Sequence, residues 1–220
     1  MSNASSRERP PNILQIHRDT LKPGANAVFR AIEEDAARAC AEHNCPHPHL
    51  AIEAVTEPRV RGTGAHEVKE VWWLNAFESE TEKQRVYDDY ANNRPLMAAL
   101  ASIGTRRKDV IATEVDIFAS YRSDLSRSAP WTIAGARFFV VTVTTEDHHI
   151  AGSVFEAPDG MRFVFKATRT RGEANAGAAR SQPQTAVFAV RPYWGMPAQE
   201  WIDADPDFWE RLRPHRAADV

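Results

Sequence analysis

Long apolar runs and an excess of charge of one sign are both missing from this sequence. Of its 220 residues, 27 are basic and 30 are acidic, which gives a formal net charge of −3. Without a basic surface, we expect no nucleic acid partner. The longest apolar stretches fall well short of the roughly 20 residues that a membrane-spanning helix needs, and no apolar signal core stands near the N-terminus. The sequence therefore predicts a cytoplasmic protein with no membrane partner.

Cysteine and glycine are also scarce, and their placement excludes further classes of protein. The two cysteines, Cys40 and Cys45, cannot build the disulfide framework of a small secreted domain, although they could pair under oxidation. The ten glycines form neither a G-x-G-x-x-G fingerprint nor a phosphate-binding loop. The sequence gives no support for nucleotide binding, and we expect no cofactor.

The N-terminal half of the sequence alternates between the periods of strands and helices. After a polar leader at residues 1–11, the patterns predict a strand, a helix, a hairpin, a capped helical region and a further strand, over residues 12–121. A capping box of Ser79 and Glu82 begins the second helical region, and Pro95 begins its second segment. The resulting β-α-β-β-α-β order is that of a ferredoxin-like fold.

A shorter version of the same pattern follows. After a polar linker (122–131), residues 132–194 predict a strand, a hairpin across the sequence PDG, a short weak helix and a final strand, so the first helix is missing. The segments HPHLAIEAV and DHHIAGSVFEA resemble each other, as do IATEVDIFASY and TAVFAVRPYW, which favours duplication. The tail (195–220) is expected to dock through a short helix with Asp205 as N-cap.

Two such halves in one chain would solve a packing problem. Helices cover only one face of a ferredoxin-like sheet, so the other face needs a second sheet. We predict an α+β protein in which tandem ferredoxin-like halves form an intramolecular α+β barrel, as a monomer or homodimer. In the first strand, we expect Leu14 and Ile16 to pack under the helices while Gln15 and His17 face a cavity between the halves. The opposite assignment of the two faces is the alternative, because both faces would be buried.

This order of elements, the strand EVWWLNAF before a capped helix, and the partial second copy resemble the dimeric α+β barrel superfamily. Within it, the chain looks like a NIPSNAP-like protein with fused halves. The resemblance covers about residues 12–194 and lies in topology rather than in motifs. It implies a fold shared by cofactor-independent monooxygenases, haem-handling enzymes and proteins without known activity. It assigns no functional residue, and the missing helix of the second half departs from the pattern.

His17 is the candidate catalytic residue. A strand histidine that faces a cavity can act as a general base near neutral pH, and Glu53 or Glu70 of the following hairpin could orient it. The alternative is a core histidine that only satisfies a buried carboxylate or carbonyl, because a lone histidine specifies no reaction.

Aromatic and polar residues could line a ligand pocket around it. Trp73 and Asn75 share one face of their strand, Tyr90 lies on the following helix, and together they could bind a flat aromatic or polyketide-like molecule, or simply pack. Arg137 and Arg191 lie in or beside apolar strands and could hold an acidic ligand, or pair with Glu53 or Glu114. The candidate ligand-binding residues are Gln15, Glu53, Trp73, Asn75, Tyr90 and Arg191.

The stretch CAEHNCPHPH offers a different site. It places Cys40, His43, Cys45, His47 and His49 within ten residues. A zinc site normally takes its ligands from two separated pairs, whereas these residues all stand at the C-terminal end of one predicted helix. Histidines there interact favourably with the negative end of the helix dipole. We expect no metal there.

The sequence thus favours a cofactor-independent small-molecule enzyme of oxygenase or isomerase type, with His17 as base in a mostly apolar pocket. A non-catalytic ligand-binding or structural protein of the same fold is the alternative. Haem binding would require an axial histidine in a wide cavity.

Overall fold

Eight antiparallel strands form a closed barrel in the computed structural model, which describes residues 10–55, 69–127, 131, 133–146, 151–179 and 184–210. The strands are β1 (Ile13–Leu21), β2 (Leu50–Ala54), β3 (Glu70–Phe77), β4 (Ile111–Tyr121), β5 (Phe138–Thr144), β6 (Ser153–Glu156), β7 (Arg162–Thr168) and β8 (Thr185–Val190). The helices are α1 (Asn26–Glu42), α2 (Glu80–Asn92), α3 (Arg94–Lys108), α4 (Arg171–Ala179), α5 (Gln199–Ala204) and α6 (Pro206–Glu210). Most of the predicted leader and the last ten residues of the predicted tail lie outside the described residues. No helix within them is long and apolar enough to cross a membrane.

The strand order around the barrel is β1-β3-β2-β8-β5-β7-β6-β4. The first four strands of the chain lie in the order β4-β1-β3-β2, and the last four repeat that arrangement as β8-β5-β7-β6. Two seams, β2 with β8 and β4 with β6, join the groups. The predicted α+β class and closed barrel are confirmed, while the duplication of halves and the domain boundaries stay predictions.

Local signals set the helix ends as expected. The Ser79 side chain accepts a hydrogen bond from the Glu82 backbone N–H at 3.1 Å, which begins α2. Asn93 does the same for Leu96 at 3.3 Å, and Pro95 occupies the first turn of α3. The short helix predicted near residue 171 is α4. The six-residue α5 had no periodic apolar stripe to reveal it.

The two faces of β1 are assigned the other way round from our first expectation. Leu14 and Ile16 point into the barrel, where they pack with Trp72 in one cluster. The opposite face, with His17, meets Trp73, which packs with the α1 residue Phe29. Both faces of β1 are buried, so the alternation of its residues could not show which one the helices cover.

Aromatic side chains fill the barrel interior. They are Trp72, Trp131, Phe139, Phe155, Phe163, Phe165 and Phe188. Their rings meet mostly edge to face, for example Trp131 on Phe165 with centroids 5.4 Å apart. Trp201 of α5 and Trp209 of α6 belong to the same cluster.

A partly buried ion pair, in which the carboxylate is the buried partner, anchors this tail. The guanidinium of Arg137 donates to both carboxylate oxygens of Asp205 at 2.8 and 2.9 Å and lies over the Phe208 ring. Hydrogen bonding from Arg137 lowers the pKa of Asp205 below its ordinary value. The expectation that Arg137 pairs with Glu53 or Glu114 is wrong, because Asp205 comes from the tail, whose path the strand pattern does not specify.

We expect Asp205→Asn to destabilise the protein by about 2 kcal/mol at pH 7, because a charge-assisted hydrogen bond to a buried carboxylate is lost. A carboxylate with a depressed folded-state pKa stabilises above its unfolded pKa, and this contribution is lost as pH falls through the folded value. The difference between wild type and variant should therefore shrink below about pH 4. Urea unfolding at several pH values measures it, with the exposed Asp203→Asn as control. A pH-independent difference would mean that packing, and not charge, was lost.

Candidate active site between the sheet and the helices

A cavity of about 250 Å³ lies outside the barrel, between the outer face of the sheet and helices α1, α2 and α3. We call it the cleft. Five of the predicted site residues line it, namely Gln15, His17, Trp73, Asn75 and Tyr90. They come from β1, β3 and α2, so elements distant in sequence converge on one space.

Glu53 and Arg191, the other two predicted residues, do not line the cleft. The Arg191 guanidinium donates to the buried Glu53 carboxylate, with Nε to Oε2 at 2.5 Å. Arg30 and Lys69 also approach this carboxylate, each at 3.5 Å. The alternative that Arg191 pairs with Glu53 is confirmed, and the pair joins β2 to the residue that follows β8.

Amide side chains form the floor of the cleft. Gln15 and Asn75 stand opposite each other on β1 and β3, and Asn75 Nδ2 donates to Gln15 Oε1 at 3.2 Å. Gln15 Nε2 in turn donates to Asp116 Oδ1 at 3.0 Å. Asp116 lies on β4, directly opposite His17 in the register. Cross-strand pairing therefore builds a polar chain that ends beside the histidine.

His17 is surrounded by carboxylates. Its Nδ1 lies 3.1 Å from Asp116, and its Nε2 lies 3.2 Å from Asp19 and 3.4 Å from Glu114. Burial of the ring opposes protonation, but the carboxylates of Asp19 and Asp116 outweigh it, so the pKa of His17 is raised above its ordinary value. The ring also meets Trp73 edge to face, with centroids 5.5 Å apart. These neighbours therefore constrain both the position and the charge of the His17 imidazole.

Behind the histidine, Arg107 of α3 holds two buried carboxylates. It donates to Asp19 Oδ2, its Nε lies 3.2 Å from Glu33 Oε1, and its guanidinium stacks over Trp73 at 4.6 Å. Burial raises the pKa of Glu33 to about 7, although Arg107 partly offsets this. Sequence patterns missed Arg107 because it resembles an ordinary basic residue in the last turn of a helix.

Aromatic side chains line the cleft beside the amides. Trp73 packs on Phe29 with centroids 6.0 Å apart, and Phe29 packs on Trp194 at 5.8 Å. The prediction that Trp73 and Asn75 share a face is confirmed, and the adjacent Trp72 points into the barrel instead. The cleft is nevertheless mixed in character and not mostly apolar, since charged and amide groups line one end.

The two cysteines meet at the end of α1. Asn44 has a positive φ of 53°, and this sharp turn brings the Cys45 N–H to the Cys40 carbonyl at 2.9 Å. Cys45 Sγ lies 3.0 Å from the Tyr90 hydroxyl. Hydrogen bonding between the thiols lowers the pKa of Cys45 and raises that of Cys40, whose burial adds to the rise.

The five Cys and His residues of the stretch CAEHNCPHPH (40–49) do not share one site. Cys40 and His49 line the cleft, whereas His47 stacks on Phe77 with centroids 4.9 Å apart. His47 Nε2 also lies 3.1 Å from the Ala76 carbonyl.

Comparison with known proteins defines the class of fold. No protein-family model and no curated protein matches the chain. A solved structure from Fusobacterium nucleatum, named "putative monooxygenase", matches with a TM-score of 0.51 at 8% identity, over 82% of this chain and 93% of its own. Another, from Lactobacillus acidophilus and of the same name, has a TM-score of 0.45 at 6% identity, over 81% and 93%. The first likeness shows a shared α+β barrel fold.

Proposed function

We propose that this α+β barrel protein is a cofactor-independent enzyme that transfers a proton to or from a small aromatic molecule in the cleft, with His17 as base. The observation that supports it most is a cavity that reaches a histidine whose Nδ1 lies beside the carboxylate of Asp116. A base held by a neighbouring carboxylate is the common arrangement for general acid–base catalysis. The NIPSNAP-like relationship, the fused halves and a monomeric or homodimeric state belong to the same proposal.

The cleft suits a small planar substrate. Its volume lies near the lower limit of ordinary ligand pockets, which is about 300 Å³, so one or two rings would fill it. Trp73 offers a ring face, and the amides of Gln15 and Asn75 can bond a hydroxyl or keto oxygen at the other end. Such a substrate would place its acidic C–H or O–H toward His17.

Two reactions begin with the same proton abstraction. In an isomerase, His17 would return the proton to another substrate atom. In an oxygenase, the substrate anion would supply the electrons to O₂, so that a methylene becomes a carbonyl, one oxygen atom enters the product and the other leaves as water. The second reaction agrees with the name of the Fusobacterium protein, although that likeness concerns the fold.

The alternative is binding without turnover, or a purely structural role. It is favoured by the filled barrel interior and by the three carboxylates around His17, which would also satisfy a structural imidazolium. Ligand binding and turnover therefore need separate measurements.

We expect His17→Asn to lower turnover at least about 100-fold, because the proton acceptor is lost. The probes are hydroxylated one- and two-ring aromatics, 1-naphthol among them. Tryptophan quenching reports binding, an oxygen electrode reports oxygenation, and deuterium uptake by NMR reports isomerisation. Stability should change by about 1 kcal/mol or less, since asparagine keeps a donor near Asp116.

His43→Asn, at the end of α1 and outside the cleft lining, is the matched control and should keep full turnover. Binding by the wild type with neither oxygen consumption nor deuterium uptake would favour the ligand-binding alternative. Failure of every probe to quench tryptophan, or undiminished turnover in His17→Asn, would contradict the proposal.

A further inference from the structure

We propose that His17, Asp19 and Glu114 bind a divalent transition-metal ion at the back of the cleft. The ligand atoms are His17 Nε2, Asp19 Oδ1 and one carboxylate oxygen of Glu114, and all lie within 4.8 Å of one another. We call this arrangement the three-ligand site. It lies on the side of the imidazole away from Asp116, which holds Nδ1.

The spacing of the ligand atoms fits a metal ion. Nε2 lies 3.2 Å from Asp19 Oδ1 and 3.4 Å from Glu114 Oε1. With metal–ligand bonds of about 2.1 Å, neighbouring ligands stand about 3.0 Å apart in octahedral and about 3.4 Å apart in tetrahedral geometry. Both separations lie within this range, and the third pair, Asp19 with Glu114, lies within 4.8 Å. Rotation of the exposed Glu114 side chain could close the remaining gap without movement of the backbone.

The sheet positions these ligands without any loop. His17 and Asp19 are two residues apart on β1, so their side chains leave the same face. Glu114 stands directly opposite Asp19 in the β1–β4 register. Sites on paired strands are held more precisely than sites on loops.

Unsatisfied buried atoms provide an independent indication of a ligand. The Asp19 side chain is fully buried, and its Oδ1 has no hydrogen-bond partner among the described residues. His17 Nε2 is also buried without a hydrogen-bond partner among these residues. It lies only 3.2 Å from Asp19 Oδ1. Arg107 occupies the other oxygen of Asp19, so Oδ1 alone remains directed at the imidazole. Such groups are costly to bury unpaired, and a shared cation would satisfy both.

The surrounding charges favour a dication over a single proton. Among the described residues, the carboxylates of Asp19, Glu33, Glu114 and Asp116 stand near one permanent cation, Arg107, so negative charge exceeds positive charge around the imidazole. A divalent ion would offset more of this excess than a single proton does. Asp116 at Nδ1 also acts as the carboxylate that usually holds a metal-bound histidine in the tautomer with a free Nε2.

The ligand types select the class of ion. One imidazole nitrogen with two carboxylate oxygens suits Zn²⁺, Mn²⁺ or Fe²⁺, whereas Ca²⁺ and Mg²⁺ prefer oxygen ligands alone. Glu114 is about half exposed, so water can complete the coordination.

This inference goes beyond the proposed function and does not depend on it. A metal ion on Nε2 would leave the ring proton on Nδ1, so His17 could not accept a proton from a substrate. The ion-loaded protein should therefore be inactive in proton transfer, while metal binding itself needs no aromatic molecule.

Calorimetric titration of chelator-treated full-length protein with Zn²⁺, and Mn²⁺ EPR, test the three-ligand site. We expect one ion per chain, at least tenfold weaker binding in Glu114→Gln, loss of binding in His17→Asn, and about tenfold weaker binding in Asp116→Asn. The exposed Asp88→Asn on α2 is the control and should bind as the wild type does.

Glu114 is exposed, so its variant should fold, and circular dichroism checks this. No saturable binding, or equal affinity in wild type and Glu114→Gln, would overturn the inference. Equal affinity for Mg²⁺ and Zn²⁺ would overturn the assignment of a transition metal. Turnover measured without metal tests the proposed function separately.

Discussion

Replacing Trp72 with alanine is expected to lower the free energy of unfolding by about 4 kcal/mol, the middle of the range for a buried aromatic. Its indole is almost fully buried in the barrel and packs on Phe188 with centroids 4.6 Å apart, and on Phe163 at 6.0 Å. Its Nε1 also donates to Glu70 at 3.0 Å, so the variant loses a hydrogen bond as well as packing. Urea denaturation measures the change.

The adjacent Trp73→Ala is the matched comparison, because the two side chains leave opposite faces of one strand. Trp73 borders the cleft, so part of its environment is already open, and we expect a smaller loss of about 2 to 3 kcal/mol. Aromatic probe binding should disappear in this variant and persist in folded Trp72→Ala. A larger loss of stability at Trp73 than at Trp72 would contradict the described orientation of β3.

Arg107→Met is expected to destabilise chelator-treated protein by about 4 kcal/mol at pH 8, because two buried carboxylates lose their cation. Asp19 is fully buried and Glu33 almost so, and Arg107 contacts both. Methionine keeps much of the apolar contact with Trp73, so the loss would report charge more than packing.

The effect of Arg107→Met should be smaller at pH 5. Burial holds the pKa of Glu33 at about 7, above its ordinary 4.5, so at pH 5 this group is neutral and needs no cation. A raised carboxyl pKa also means that the stability linked to Glu33 in the wild type is present below about pH 4.5 and is lost as pH rises through about 7. Unfolding measured at pH 5 and pH 8 tests both statements.

Arg106→Met is the matched control for Arg107. Arg106 belongs to the same turn of α3 but pairs with the partly exposed Asp35 at 2.6 Å. Exposed pairs contribute little, so the loss should stay below about 1 kcal/mol. Similar losses in the two variants would show that the buried carboxylates do not depend on Arg107.

Sequence periodicity predicted the fold well because its elements are strongly patterned. The helix predicted between the first strand and the hairpin is α1 (Asn26–Glu42), and the capping residues marked α2 and α3. The order of strands then limited the topology to a barrel. Periodicity failed for the faces of β1, where burial on both sides removes the contrast between core and solvent on which the method depends.

The residues of the candidate site that were predicted from the sequence are mainly those that neighbour one another within a single strand. Gln15, His17, Trp73 and Asn75 could be grouped because they recur at two-residue spacing on strands. Asp116 and Arg107 were missed, because their place beside His17 depends on cross-strand register and helix packing, which no short segment encodes. The one available signal was the alternation of Glu114 and Asp116 on a strand that pairs with β1.

The unequal seams of the barrel have a consequence for local opening. β4 and β6 share two registered pairs and β2 and β8 share three, whereas β1 and β3 share eight. Opening events that break the fewest hydrogen bonds are the most frequent, so amide hydrogen exchange should be fastest along β6, near Phe155. Each opening would expose two unpaired strand edges at once, and in concentrated solution those edges could pair with another copy by domain swapping.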